Sequence, residues 1–112
     1  PFFMEISEED KICLGKQFSI KESGEEIGRA SLYLVHNNLH SRPFAFLEDV
    51  FIHESRRGSG LGTKLVDLVI KRAKELNCYK LIATSRNSKP KVHRLYRKIG
   101  FEDYGKEFRI NL

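Results

Sequence analysis

The chain has 112 residues, of which 40% are hydrophobic and 31% charged, and its formal net charge is +5. This length predicts one domain with a core large enough to fold alone. No apolar run approaches the roughly 18 residues of a membrane-spanning helix, and the N-terminus is unlike a signal peptide. We therefore expect a cytoplasmic protein with no membrane partner. Cys13 and Cys78 stand in apolar runs, which predicts buried free thiols without a disulfide.

The first half of the chain has the alternation of β-strands. Residues 16–35 alternate apolar and polar side chains on both sides of Ser23-Gly24, which predicts a hairpin. Residues 44–52, "FAFLEDVFI", are rich in aromatic and branched side chains and predict a central strand.

Beyond the glycines the apolar spacing becomes that of a helix with one buried face. Asn77 ends this helix. The residues that define the face are Leu61, Leu65, Leu68, Val69, Ala73 and Leu76.

The last third of the chain predicts a strand, a second helix and two more strands. Residues 79–84 form the buried strand, and Ser88 caps a helix that opens near Pro90 and closes at Gly100. The tail, residues 101–112, reads as two short strands. The apolar face of the second helix comprises Val92, Leu95, Tyr96 and Ile99. The order β-β-β-α-β-α-β-β predicts an α/β domain on a mixed sheet.

The stretch "RRGSGLGTK" between a strand and a helix predicts an anion site, because glycines expose the backbone and a helix start offers free N–H groups. A P-loop fails on spacing, since Thr63 stands where its second glycine is needed. A dinucleotide fingerprint also fails, since Gly62 comes one residue early and no acidic residue ends the following strand.

The pattern that fits is R-x-x-G-x-G, with Arg57, Gly60 and Gly62. With "LEDVFI" before it and "HRLYRKIGF" after the next strand, it resembles the GNAT superfamily of acetyl-CoA-dependent N-acetyltransferases over residues 17–112. The resemblance implies a single domain over residues 1–112. Its fold would be a mixed, mostly antiparallel central sheet with two main helices, and its N-terminal part is short.

In this family the glycine loop binds the coenzyme A pyrophosphate, the preceding strand pairs with pantetheine, and a polar residue after the next strand lies nearby. The alternatives are a turn that starts a helix and a buried central strand. The matching residues for acetyl-CoA as co-substrate are Val50, Phe51, Ile52, Arg57, Gly58, Ser59, Gly60, Leu61, Gly62, Thr63 and Asn87.

Two residues carry the implied catalysis. Tyr96 occupies the family's tyrosine position, where a phenol protonates the departing thiolate; the alternative is a core tyrosine. Glu48 is the candidate base, since an amine acceptor must lose a proton; the alternative is a structural or rim carboxylate. Alternation predicts Glu48 and Val50 on one face of the strand and Asp49 on the other. No histidine or cysteine cluster has metal-ligand spacing, so we expect no metal.

The acceptor is less defined by the sequence. Acidic Glu48, Asp49 and Glu54 favour a cationic amine such as a polyamine, an aminosugar or a lysine side chain. "ELNCYKL" resembles glucosamine-phosphate acetyltransferases, but this stretch is scaffold and does not transfer the substrate. Residues 1–16 are too few for the usual N-terminal helices. The acceptor side could be open, completed by a second copy in a homodimer, or formed by residues outside this sequence.

Two other functions stay open from the residues alone. The basic stretch "KPKVHRLYRK" suits a nucleic-acid-binding module. We do not expect nucleic acid as a partner, because these residues fall where coenzyme phosphates would lie and aromatic residues for base stacking are few. A member that binds acyl-CoA without catalysis is the other alternative.

Overall fold

The computed structural model describes residues 3–112, which form a four-stranded sheet with two α-helices. The strands are β1 (Gly15–Glu22), β2 (Glu25–Val35), β3 (Phe44–Ile52) and β4 (Leu81–Ala83), in the order β1-β2-β3-β4. The pairs β1–β2 and β2–β3 are antiparallel, and β4 is parallel to β3. The mixed, mostly antiparallel sheet and the interior position of β3 are thus confirmed.

The predicted hairpin joins β1 to β2. Ser23 and Gly24 have φ values of 52° and 80°. Positive φ at both central residues matches the right-handed twist of the two strands that the turn connects.

Helix α1 (Leu61–Glu75) covers one face of β2 and β3. Its apolar face differs from the predicted one at two positions, because Val66 is fully buried whereas the side chain of Leu68 is 42% exposed. The buried core comprises Ala30, Leu32, Leu34, Ala45, Leu47, Leu65, Val66, Val69 and Ala73.

Helix α2 (Pro90–Ile99) ends as predicted at Gly100, which has a φ of 126°. The helix begins at Pro90, as predicted, but the predicted cap is wrong. The cap position is Lys89 rather than Ser88, and no side chain caps the helix. Proline at the first helical position excludes a helical conformation for the residue before it, so Pro90 fixes the boundary directly after Lys89.

The segments on either side of this fold carry no regular structure. Residues 3–14 and 101–112 contain neither helix nor strand, and Pro1 and Phe2 lie outside the described residues. The two strands predicted after Phe101 are therefore wrong. A strand forms only when its backbone pairs with a neighbour, and the tail pairs with no described strand. The predicted burial of Cys13 is also wrong, since it lies exposed before β1, whereas Cys78 is half-buried; both thiols are free.

Candidate active site

The glycine loop between β3 and α1 leaves backbone donors free. Gly58 and Gly60 have φ values of 80° and 87°, and a Cβ atom at either position would meet nothing within 4 Å. Within the described chain, the N–H groups of Leu61, Gly62 and Thr63 donate to no acceptor, and no side chain caps α1. The loop therefore presents unpaired donors at the positive end of a helix dipole, which suits a phosphate group.

Ser59 has a different task within this loop. Its N–H donates to the carbonyl oxygen of Arg56 at 3.3 Å, and its hydroxyl donates to the same oxygen. Ser59 thereby holds the shape of the loop while its neighbours keep their donors free.

The two arginines before the loop make different contacts. Arg57 donates from Nε to the carbonyl oxygen of Ile52 at 3.0 Å and so fixes the loop to the end of β3. Arg56, in the short 3₁₀ turn Glu54–Arg56, forms an ion pair with Glu22 of the hairpin. Arg57 thus belongs to the loop, and Arg56 to the surface beside it.

Strands β3 and β4 separate beside this loop. Their parallel pairing ends at Leu47–Ala83, whereas β3 continues to Ile52 and stays paired with β2. In the described chain, this end of β3 therefore has no strand on its β4 side. A Cβ atom on Gly62 would lie 3.8 Å from Ile52 and 3.9 Å from Leu95 of α2. The unpaired edge, the loop and α2 thus meet, and such an edge can pair with the amides of an extended ligand.

A β-bulge occurs where β3 leaves β4. The pairing of β2 with β3 steps from Ser31–Glu48 to Arg29–Phe51, so β3 carries one extra residue there. Asp49 lies in this bulge with a φ of 51°, in the left-handed region that aspartate tolerates better than most residues.

The bulge changes which side chains share a face. Val50 and Ile52 pack against the core under α1, as Leu47 does. Glu48 is paired with Ser31, whose neighbours in β2 point into the core, so Glu48 lies on the opposite face. The prediction that Glu48 and Val50 share a face is therefore wrong, because regular alternation does not continue through a bulge.

Arg29 holds the bulge from the neighbouring strand. Its Nε and Nη2 atoms donate to the two carboxylate oxygens of Asp49 at 2.7 and 3.2 Å, and Nη1 donates to Glu26 at 3.3 Å. Its guanidinium carbon lies 4.7 Å from the centroid of the Phe51 ring. The hydrogen bonds to Arg29 lower the pKa of the Asp49 carboxyl. The negative charge of Asp49 is thus neutralised by Arg29. Of the three acidic residues predicted near the site, Glu48 and Glu54 form no ion pair among residues 3–112.

Tyr96 stands on α2, half-buried, with its ring centroid 5.2 Å from that of Phe101. Burial, together with the negative charge of Glu48, raises the pKa of the Tyr96 phenol above its ordinary value. Its hydroxyl bonds to no residue among 3–112, and no side-chain N or O atom there is buried without a partner, so the oxygen reaches solvent. The phenol is protonated at neutral pH and accessible, as a general acid must be. Glu48 is exposed.

Asn87 lies exposed in the turn between β4 and α2, and its place near a ligand stays a prediction. The same turn is fixed by His93 of α2, whose Nε2 atom lies 2.8 Å from the carbonyl oxygen of Arg86. His93 therefore has a structural contact here.

Sequence reasoning missed Arg29. It is separated from Asp49 by 20 positions, and no local pattern connects them. A signal for the bulge was present, because Glu48 and Asp49 put two acidic residues side by side inside an otherwise apolar strand. Regular alternation would have sent one of these carboxylates into the core.

The described residues offer neither a metal centre nor a membrane-spanning helix. Between residues 3 and 112, no group of three or more His, Cys, Asp or Glu side chains could hold a metal ion. In the same range, neither helix has the length and apolarity to cross a membrane.

Comparison with known proteins places this arrangement among acetyltransferases. The family model described as "Acetyltransferase (GNAT) family" matches residues 2–101. The aminoglycoside N(6')-acetyltransferase type 1 of Stenotrophomonas maltophilia is 32% identical over 83 residues, which are 71% of this chain and 54% of that protein. The glucosamine 6-phosphate N-acetyltransferase of Trypanosoma brucei brucei is 31% identical over 99 residues, 87% of this chain and 65% of that protein.

A solved structure agrees with these matches. The crystal structure of a Trypanosoma brucei acetyltransferase superimposes with a TM-score of 0.75 at 29% identity, covering 89% of this chain and 69% of that one. The chain thus spans between half and two thirds of the length of the two curated relatives described above.

Proposed function

The chain belongs to the acetyltransferase (GNAT) family, and we propose that it transfers an acetyl group from acetyl-CoA to a primary amine. One observation carries this proposal. The unpaired edge of β3 ends at a glycine loop whose following helix starts with free N–H groups. An extended edge followed directly by an anion site matches a ligand that has amides along its arm and a diphosphate at its end.

In this proposal the segment Arg57–Thr63 binds the pyrophosphate, chiefly through the backbone donors at the start of α1. Val50 and the N–H of Ile52 offer backbone groups to the pantetheine amides along the unpaired edge, and Phe51, whose backbone is paired with Arg29 of β2, lies between them. The open space above Gly58 and Gly60 supports this assignment, because side chains there would occupy the approach to the donors. Asn87 would contact the same arm from the β4 side.

The chemistry needs a proton acceptor and a proton donor. A protonated amine first loses one proton; its nitrogen then bonds to the acetyl carbonyl carbon, the carbon–sulfur bond breaks, the nitrogen loses a second proton and the sulfur gains one. Tyr96 is the proposed acid for the sulfur, because its raised pKa keeps the phenol protonated. Glu48 is the proposed base. Its exposure gives it access to an incoming amine, directly or through a water molecule.

For the acceptor, an amino sugar is the first class to test. Two relatives of this chain are named for aminoglycosides and glucosamine 6-phosphate, and Glu48 and Glu54 leave negative charge that favours a protonated amine. A second copy of the chain could complete the acceptor side.

The proposal is tested in two stages. First, acetyl-CoA at 100 times its dissociation constant should stabilise the protein by about 2.7 kcal/mol, seen as a higher Tm, with ATP and NAD as controls. Second, glucosamine 6-phosphate, an aminoglycoside, a polyamine and a lysine peptide are screened by release of free coenzyme A thiol. The N-acetylated form of any accepted amine is the matched negative control.

The outcomes separate the possible functions. No rise in Tm with millimolar acetyl-CoA would overturn the coenzyme assignment. Binding without turnover across the amine panel would indicate a non-catalytic acyl-CoA-binding protein. Salt-dependent binding to DNA or RNA that coenzyme A does not compete with would indicate a nucleic-acid module.

A further inference from the structure

We propose that Arg29 is a positioning residue, which fixes the bulge at Asp49 and thereby aligns the open edge of β3 for the coenzyme. This proposal rests on the proposed function for its ligand. Its geometric part, that Arg29 orders this edge, is independent of any ligand.

Arg29 contacts β3 at Asp49 and Phe51, the two residues that flank Val50. The guanidinium binds the Asp49 carboxylate through two nitrogens and lies over the ring of Phe51. Val50, the first of the three residues proposed to line the ligand, stands between these two contacts in the sequence. The third nitrogen donates to Glu26 on the same strand as Arg29. All three guanidinium nitrogens are therefore engaged, and the side chain is held in one orientation.

The bulge needs such a constraint because its backbone is strained. A non-glycine residue at a φ of 51° is disfavoured, and it persists when its surroundings fix it. The bidentate pair with Arg29 fixes the Asp49 side chain, and the packing of Val50 and Ile52 against the core opposes a slip of the whole strand. Loss of Arg29 should therefore loosen the edge without unfolding the protein.

Lysine cannot replace this contact. Its ammonium group keeps the charge but lacks the planar fork that binds both carboxylate oxygens, and it stacks less well on an aromatic ring. The contact also requires the carboxylate of Asp49, which accepts both hydrogen bonds. Glycine at position 49 would adopt the same φ without any partner.

The test combines Arg29→Met with the native Asp49 and with Asp49→Gly. On the native background, Arg29→Met should raise the KM for acetyl-CoA by about tenfold and change kcat much less, because it misplaces a binding edge. On the Asp49→Gly background, the same substitution should change KM less than about twofold, since its partner is already absent. Arg29→Lys should behave like Arg29→Met.

The matched control is Arg72→Met, which breaks the partly exposed ion pair with Glu75 on α1. It should leave the KM for acetyl-CoA unchanged. Equal KM effects of Arg29→Met on both Asp49 backgrounds, or a loss of Tm with an unchanged KM, would overturn the proposal.

A ligand-free measurement separates this proposal from the proposed function. Amide hydrogen exchange of Phe51, which is paired with Arg29 of β2, should be faster in Arg29→Met than in the unaltered protein or in Arg72→Met. If the unaltered protein fails to bind acetyl-CoA, the proposed function fails, while the exchange rates still decide whether Arg29 orders this edge. Unchanged exchange at Phe51 would refute that role.

Discussion

Substitution of Gly60 by alanine tests whether the glycine loop binds the coenzyme, and Gly24→Ala is its matched control. The two glycines have similar φ values, 87° and 80°, and a Cβ atom at either would meet nothing within 4 Å. Gly60 lies in the loop before α1, and Gly24 in the turn between β1 and β2. The pair therefore shares a backbone conformation and differs in place.

The cost to stability should be the same in both variants. Because neither methyl group meets a neighbour, the free energy of unfolding falls only by the left-handed backbone cost, about 1–2 kcal/mol. For a domain of this size that corresponds to roughly 4–8 °C in Tm. Urea denaturation of the two variants measures the loss directly.

Coenzyme affinity should separate the variants. The methyl group in Gly60→Ala enters the open side of the loop and disfavours the conformation that exposes the donors of α1. A lost hydrogen bond to a charged group is worth about 1.5–3 kcal/mol, which is about ten- to a hundredfold in Kd. Titration calorimetry with coenzyme A should show this loss in Gly60→Ala and an unchanged Kd in Gly24→Ala. Equal affinities would refute the assignment of the loop, and a much larger stability loss in Gly60→Ala would refute its open surroundings.

Three further predictions concern the core residue Leu65, the proposed acid Tyr96, and the effect of Glu48 on the Tyr96 phenol. Leu65→Ala should lower the free energy of unfolding by about 2–5 kcal/mol, while Leu68→Ala on the exposed side of the same helix should cost far less; similar losses would contradict the burial of Leu65. Tyr96→Phe should reduce kcat with little change in coenzyme Kd; an undiminished kcat would remove its role as acid. Since the pKa of Tyr96 is raised from 10.0, the stability due to its protonated form is present below pH 10.0 and is lost as the pH rises through the folded-state pKa. Glu48→Gln removes one cause of the rise and should move this titration to lower pH. The titration of Tyr96 is measured as the difference in tyrosinate absorbance between each protein and its Tyr96→Phe variant. An unchanged titration in Glu48→Gln would show that Glu48 does not affect the Tyr96 phenol.

Features set by neighbouring residues were predictable from the sequence. The alternation around Ser23-Gly24 predicted the hairpin, and the glycine spacing before α1 predicted the loop, because turns and helix starts depend on local backbone preferences. The face of α1 was less accurate. Leu68 and Val66 are both apolar, and only the packing against β2 and β3 decides which is buried.

Features that depend on distant contacts were not predicted. The bulge at Asp49 is held by a residue of another strand, and it reverses the faces of Val50 and Ile52. The tail after Phe101 has the alternation of a strand, with Phe108 and Ile110 two residues apart, yet both are more than 80% exposed. Alternation describes how a strand would pack, whereas its formation depends on a partner strand.

The buried core residues are unevenly distributed among the strands and helices, and this distribution determines which elements open first. The core is drawn from β2, β3 and α1, whereas β4 and α2 contain no buried residue. Elements with few buried contacts detach at a lower free energy than the elements of the core. We therefore expect the amides of α2 to exchange through partial opening, while those of β2 exchange only on global unfolding. Helix α2, which carries Tyr96, is then a less stable part of the domain, and a ligand held against it would slow exchange there more than in the central strands.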